Sequence, residues 1–178
     1  MKKYLLFLGD SLTEWYDWER RFPACTVANF GLSGETVEEM LDRREPIRSR
    51  AGKPDYAFLM TGINNVLQEQ YEFSASYREL VRNFTTWWKP GIVIVQSLLP
   101  VDYSFVSNDL IRDINRRLEA IAKNEGAEYL DVYSSFVDGQ GRPKAGYLSE
   151  DGVHLAPTGY AAWSDAVEEY LNRAGEKR

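Results

Sequence analysis

The 178-residue chain holds one histidine, His154, and one cysteine, Cys25. A lone cysteine cannot close an internal disulfide, and one of each cannot assemble a Cys/His zinc site. Positive charge is in deficit: 21 lysines and arginines face 27 aspartates and glutamates, a net −6. Such a surface repels a phosphate backbone, so nucleic acid is not an expected partner. No apolar run approaches the length of a bilayer crossing, and no membrane partner is expected. The opening apolar stretch, Tyr4–Leu8, is too short for a secretion signal and meets Asp10 and Ser11 at once. It reads as the buried first strand of a cytoplasmic protein. Neither a Gly-x-Gly-x-x-Gly turn nor a P-loop pattern occurs, so nucleotide binding has no support and no cofactor or metal is expected. The scarcity of histidine has a chemical corollary: a serine activated by imidazole in this chain can rely on His154 alone.

What is present is a regular alternation. Short aliphatic or aromatic runs at Tyr4–Leu8, Thr26–Asn29, Tyr56–Thr61, Ile92–Ser97 and Glu128–Val132 read as strands, and three of them are nearly unbroken apolar. Unbroken runs fit a sheet covered on both faces. Between them, Val37, Met40, Leu41 and Ile47 keep helical spacing, as do Tyr77, Leu80, Val81, Phe84 and Trp87–Trp88. Ile111, Ile114, Leu118 and Ile121 mark a third helix, and Tyr160, Trp163, Val167 and Tyr170 a last one that Pro157 opens. Gly91 and Gly126 fall where helices should stop. Ala174 to Arg178 read as a solvated tail, and Cys25 as buried beside the second strand. Strand–helix alternation implies crossover connections, hence a mostly parallel five-stranded sheet inside a three-layer α/β/α sandwich. With neither linker nor repeat, residues 1–178 read as one domain.

In such sheets ligands bind beyond the carboxyl ends of the strands, and the polar motifs fall there. Gly9-Asp10-Ser11-Leu12-Thr13 follows the first strand. Ser11 either caps the next helix or places a hydroxyl where free N–H groups favour negative charge. Asn29-Phe30-Gly31-Leu32-Ser33-Gly34 follows the second, its glycines letting backbone N–H groups approach a ligand. Thr61-Gly62-Ile63-Asn64-Asn65 ends the third, where Asn64 is either a turn former or a neutral oxyanion donor. Asp151-Gly152-Val153-His154 precedes the last helix, and its spacing lets the carboxylate reach the imidazole. The run Trp15-Tyr16-Asp17-Trp18 either lines a cleft or caps the core. Pro100 to Asn108, with Tyr103 and Phe105, is either a cleft wall or a passive connector.

Taken in order, these four segments resemble the motif blocks of the GDSL, or SGNH, hydrolases, whose second name spells the residues Ser11, Gly31, Asn64 and His154. The resemblance implies a flavodoxin-like SGNH fold and a cofactor-free esterase acting on a small-molecule ester. It implies Ser11 as nucleophile, His154 as base and Asp151 as its orienter. The Ser11 and Gly31 N–H groups and the Asn64 amide would form the oxyanion hole. Asp10 and Asn65 are expected to support these residues from behind. The family's third block usually reads Gly-x-Asn-Asp, and Asn65 replaces that aspartate here. Short acyl chains, acetyl above all, are the expected substrates. The alternatives are a thioesterase or lysophospholipase, acyl transfer to an acceptor other than water, and a silent binding module on the same sheet.

Overall fold

The computed structural model describes residues 2–176. The strands are β1 (Tyr4–Gly9), β2 (Thr26–Gly31), β3 (Tyr56–Met60), β4 (Ile92–Gln96) and β5 (Glu128–Leu130). They form one sheet, parallel throughout, in the order β2-β1-β3-β4-β5. That order is the flavodoxin-like one, whose chain direction diverges between β1 and β3. Helices cover both faces, giving the expected three layers: α1 (Ser11–Glu14), α2 (Trp18–Arg21), α3 (Val37–Asp42), α4 (Arg44–Ala51), α5 (Ile63–Leu67), α6 (Ser74–Trp87), α7 (Asn108–Asn124), α8 (Tyr133–Phe136) and α9 (Pro157–Glu176).

The apolar runs pack as their lack of alternation requires. Every residue of β3 is buried, and so are the last five of β1. Register sets Phe7 beside Phe58, and their rings stack at 5.2 Å. Trp18 of α2 lies flat on Phe7 at 3.9 Å, and Trp163 of α9 meets Trp18 edge-on at 4.9 Å. Burial would strand the Trp163 indole N–H, and Gln96 Oε1 accepts it at 2.7 Å. Truncating a ring in this stack to alanine costs about 3–5 kcal/mol. The opposite face is covered by α6 and α7, which pack on β4 and on each other. No helix among the described residues is long and apolar enough to cross a membrane.

Local expectations shift in a few places. The pattern from Val37 to Ile47 is two helices, broken at Arg43. In a continuous helix Pro46 could not donate to Asp42, and its ring would strike that carbonyl. Strand β2 extends to Gly31, while β5 stops at Leu130 because Val132 and Tyr133 turn their N–H groups to Ser97 Oγ. Gly126 does follow α7 with φ +76°. Gly91 serves a different need: a Cβ there would sit 2.1 Å from the Pro54 carbonyl oxygen. Cys25 is only half-buried. Ala174 to Glu176 continue α9 rather than forming a tail, and 177–178 lie outside the described residues.

Candidate active site

The divergence point between β1 and β3 is built tightly. Gly9 has no room for a side chain, since a Cβ would lie 2.2 Å from Thr13 Oγ1 and 2.3 Å from the Met60 carbonyl oxygen. The chain therefore turns at once, and Asp10 caps α1 by accepting the Leu12 N–H at 3.0 Å. Asp10, and not Ser11 or Thr13, is thus the helix cap. Ser11 opens the helix, 8% exposed, and among the described residues its N–H finds no intramolecular acceptor. With α1 only one turn long, its dipole is small, and the free donor itself is what the site offers.

The loop before α9 delivers the imidazole. Asp151 Oδ1 accepts the N–H groups of Val153 and His154, both at 2.9 Å, which fixes the carboxylate. Its Oδ2 lies 2.6 Å from His154 Nδ1, and His154 Nε2 lies 3.0 Å from Ser11 Oγ. Burial pushes the Asp151 pKa up, but the Val153 and His154 N–H groups and the imidazole outweigh it and hold the carboxyl below its usual range. An ionised Asp151 favours the tautomer with hydrogen on Nδ1, so Nε2 is left to accept from the serine hydroxyl.

The remaining sequence candidates divide. The N–H of Gly31 is already committed to Asn29 Oδ1 at 3.0 Å. Its missing side chain answers to packing: a Cβ would lie 2.3 Å from the Glu14 backbone nitrogen. The expectation that Gly31 offers a free oxyanion donor is therefore corrected. Three residues on, Gly34 takes φ +80°, and among the described residues its N–H has no acceptor. Asn64 anchors one amide hydrogen on the Glu35 carbonyl at 3.0 Å and keeps the other unengaged. Asn65 is buried with both amide ends satisfied: Oδ1 takes the Val37 N–H at 2.9 Å, and Nδ2 donates to Glu38 at 2.7 Å. It ties α5 to the start of α3. An aspartate there would bring a second carboxylate to Glu38, whereas the amide supplies the donor that Glu38 accepts.

Glu35 and Arg43, which sequence patterns did not single out, complete the surroundings together with residues that those patterns did. Glu35, its carboxylate almost wholly buried, is gripped by Arg43, whose Nη2 also donates to the Phe30 carbonyl at 2.8 Å. Asp10 is 1% exposed, and its Oδ2 lacks a partner among the described residues. Of the aromatic run, Trp18 belongs to the core, while Trp15 is 58% exposed and stacks on the His154 ring at 4.3 Å. The loop from Pro100 to Asn108 is no passive connector. Asn108 closes it by bonding both polar groups of Val101, and Asp102 donates its N–H to the Gly152 carbonyl at 2.8 Å. Gly152, at φ +71°, has no room for a Cβ beside the Asp102 carbonyl. The loop thus buttresses the turn carrying His154, with Tyr103 and Phe105 exposed on it. Contacts between such distant segments carry no local signature.

A serine, an imidazole and a carboxylate in one hydrogen-bonded chain, at the carboxyl edge of a parallel sheet, is the arrangement of serine-dependent hydrolases. The chain belongs to the GDSL-like lipase/acylhydrolase family, whose sequence pattern matches residues 7–162. It is 25% identical over 178 residues to the platelet-activating factor acetylhydrolase IB subunit alpha1 of Bos taurus, covering 95% of this chain and 75% of the relative. The corresponding alpha2 subunit of Rattus norvegicus is 27% identical over 175 residues, with 94% and 75% covered. Among solved structures, a Streptococcus pneumonia protein named for platelet activating factor superposes with TM-score 0.86 at 25% identity, covering 96% of this chain and 85% of that one. The fold is shared with Axe2, an acetylxylan esterase from Geobacillus stearothermophilus, at TM-score 0.71 and 20% identity over 93% and 92% of the two chains.

Proposed function

We propose that the protein is a cofactor-free serine esterase that removes short acyl groups, acetyl foremost, from small polar alcohols. The observation that carries this reading is the continuous relay from Ser11 Oγ through His154 to Asp151. In the first half-reaction Ser11 Oγ bonds to the acyl carbon as its proton passes to His154 Nε2, and the carbonyl π pair becomes an oxyanion. The Ser11 and Gly34 N–H groups and the free Asn64 amide hydrogen are the donors that would receive it. Collapse of that intermediate breaks the acyl C–O bond, and the proton on His154 goes to the leaving alkoxide. Water repeats the sequence on the acyl-serine, releasing a carboxylic acid and regenerating Ser11. Asp151 stays ionised and steadies the imidazolium at each transfer.

Two features favour a short acyl group. The relay is partly open, with Asp151 half exposed, so each added methylene gains less than the ~0.8 kcal/mol of full burial. Acetyl groups also figure in the names of a relative and a fold neighbour. Hydrolysis of a chromogenic acetyl ester by the wild type, its loss in Ser11→Ala, and mass-spectrometric mapping of an organophosphate adduct to Ser11 test the reading together. An adduct on Ser33 or Ser97 overturns it. A kcat/KM series on matched aryl esters tests the acyl length. A steady rise to octanoyl and beyond would favour a thioesterase or lysophospholipase instead.

A further inference from the structure

Trp15 is held in a way that an exposed core-capping side chain has no need of. Its indole lies nearly parallel to the His154 imidazole, 17° between planes and 4.3 Å between centroids. The indole Nε1–H donates to Ser33 Oγ at 3.1 Å. Ser33 is itself fixed, because Glu14 accepts both its N–H, at 2.9 Å, and its hydroxyl. The chain of contacts Glu14–Ser33–Trp15–His154 ties together α1, the loop after β2 and the turn before α9. These are the three segments that carry Ser11, Gly34 and His154. A bulky apolar group 58% exposed gains little by burial. The tether on its only polar atom fixes the plane of the ring.

We propose that Trp15 is a positioning residue for the proposed esterase reaction: its tethered indole sets the plane of the His154 ring and stabilises the imidazolium formed at each proton transfer. The inference rests on His154 acting as the base. Asp151 fixes Nδ1 and Ser11 lies at Nε2, yet two in-plane contacts leave the ring free to tilt about the line joining them. A flat surface against one face removes that freedom. The face of an indole is electron-rich, so it attracts the ring more when the ring carries charge. It also keeps water off that side of the imidazole.

The test uses Trp15→Leu, Trp15→Phe and Ser33→Ala, assayed on two acetyl esters of different leaving-group size, ethyl acetate and 4-nitrophenyl acetate. Loss of the aromatic face should lower kcat by about 3- to 30-fold on both esters. KM should change little, and labelling of Ser11 by an organophosphate should slow by a similar factor. Trp15→Phe should recover part of the loss, and Ser33→Ala should lie between Trp15→Phe and wild type. Because the chain has one histidine, its imidazole Hε1 resonance needs no assignment. The ring current of Trp15 should displace that signal upfield in the wild type but not in folded Trp15→Leu. An effect confined to KM on the aryl ester would make Trp15 a mere leaving-group contact and overturn the proposal. So would an unmoved Hε1 signal. His154→Ala separates the two levels: an active His154→Ala enzyme defeats the base assignment itself, whereas inactive His154→Ala beside normal Trp15→Leu defeats only the role of Trp15.

Discussion

Replacing Asp10 by asparagine should stabilise the protein at neutral pH, and by less as the pH falls toward 5. Burial drives the Asp10 pKa from 3.8 to about 7; the Leu12 N–H opposes this and the charge of Glu35 adds to it. The unfolded chain releases this proton near pH 4, the folded chain only near 7. Between those values the unfolded state binds fewer protons, so stability falls as pH rises. About three pH units at 1.36 kcal/mol each set a ceiling of about 4 kcal/mol on the loss. From pH 5 to pH 8 the share is about 3 kcal/mol, since part of the window lies below 5. Asparagine keeps the oxygen that accepts the Leu12 N–H and carries no charge to desolvate; its Nδ2 falls where Oδ2 has no partner, a cost of about 1–3 kcal/mol that does not vary with pH. Burial also raises the pKa of Glu35, despite its Arg43 partner. Glu35 is present in both proteins, so the difference between them reports on Asp10. Urea unfolding at pH 5, 6, 7 and 8 should show the gap between variant and wild type widening with pH. Parallel stability curves would refute the reasoning, because they would mean that Asp10 is ionised at no cost in the fold.

Other outcomes follow from the same contacts. Asn64→Ala should lower kcat by ~10²–10³ with little change in KM. Asn65→Ala should instead cost about 1–3 kcal/mol in thermal or urea unfolding, because the Val37 N–H and Glu38 lose a buried partner; the reverse ranking would mean the two asparagines have exchanged roles. Asp151→Asn, which frees the imidazole to take the other tautomer, should reduce kcat by up to ~10⁴ while circular dichroism stays unchanged. Gly152→Ala should lower both melting temperature and kcat, since its Cβ would press on the Asp102 carbonyl 2.0 Å away; wild-type activity in that variant would show that the Pro100–Asn108 loop does not hold the His154 turn.

The sheet was legible because both faces are covered, so the strands declared themselves as apolar runs. Tyr56 to Met60 is the plainest case, with every residue buried. The Asp151–His154 contact was legible for a local reason: three residues of turn suffice to join the two groups. Gly31 misled because a sequence shows that a glycine is needed but not why. Here the need is the 2.3 Å approach to the Glu14 backbone, and the unengaged N–H belongs to Gly34. The break at Arg43 was readable from Pro46, a signal that apolar spacing alone overlooks. The stacking of Trp15 on His154, the tether through Ser33 and the grip of Arg43 on Glu35 were not legible. The first two join side chains that become neighbours only after the sheet has ordered its strands, whereas Glu35 and Arg43 are brought together by the turns of α3 between them.

Arg43 has one further consequence, which concerns solubility. As an outer strand of the sheet, β2 leaves backbone groups on its free side open to a strand from another molecule. The second nitrogen of the Arg43 fork reaches the Phe30 carbonyl near the end of β2, a group that faces β1, and the carboxylate of Glu35 holds the guanidinium there. A charged side chain near the end of an outer strand discourages an incoming chain, which would have to desolvate it. The opposite margin, β5, is three residues long and offers little to pair with. The ion pair that braces the loop beside Ser11 thus also sets a fixed charge near the end of the strand at which two copies could join edge to edge.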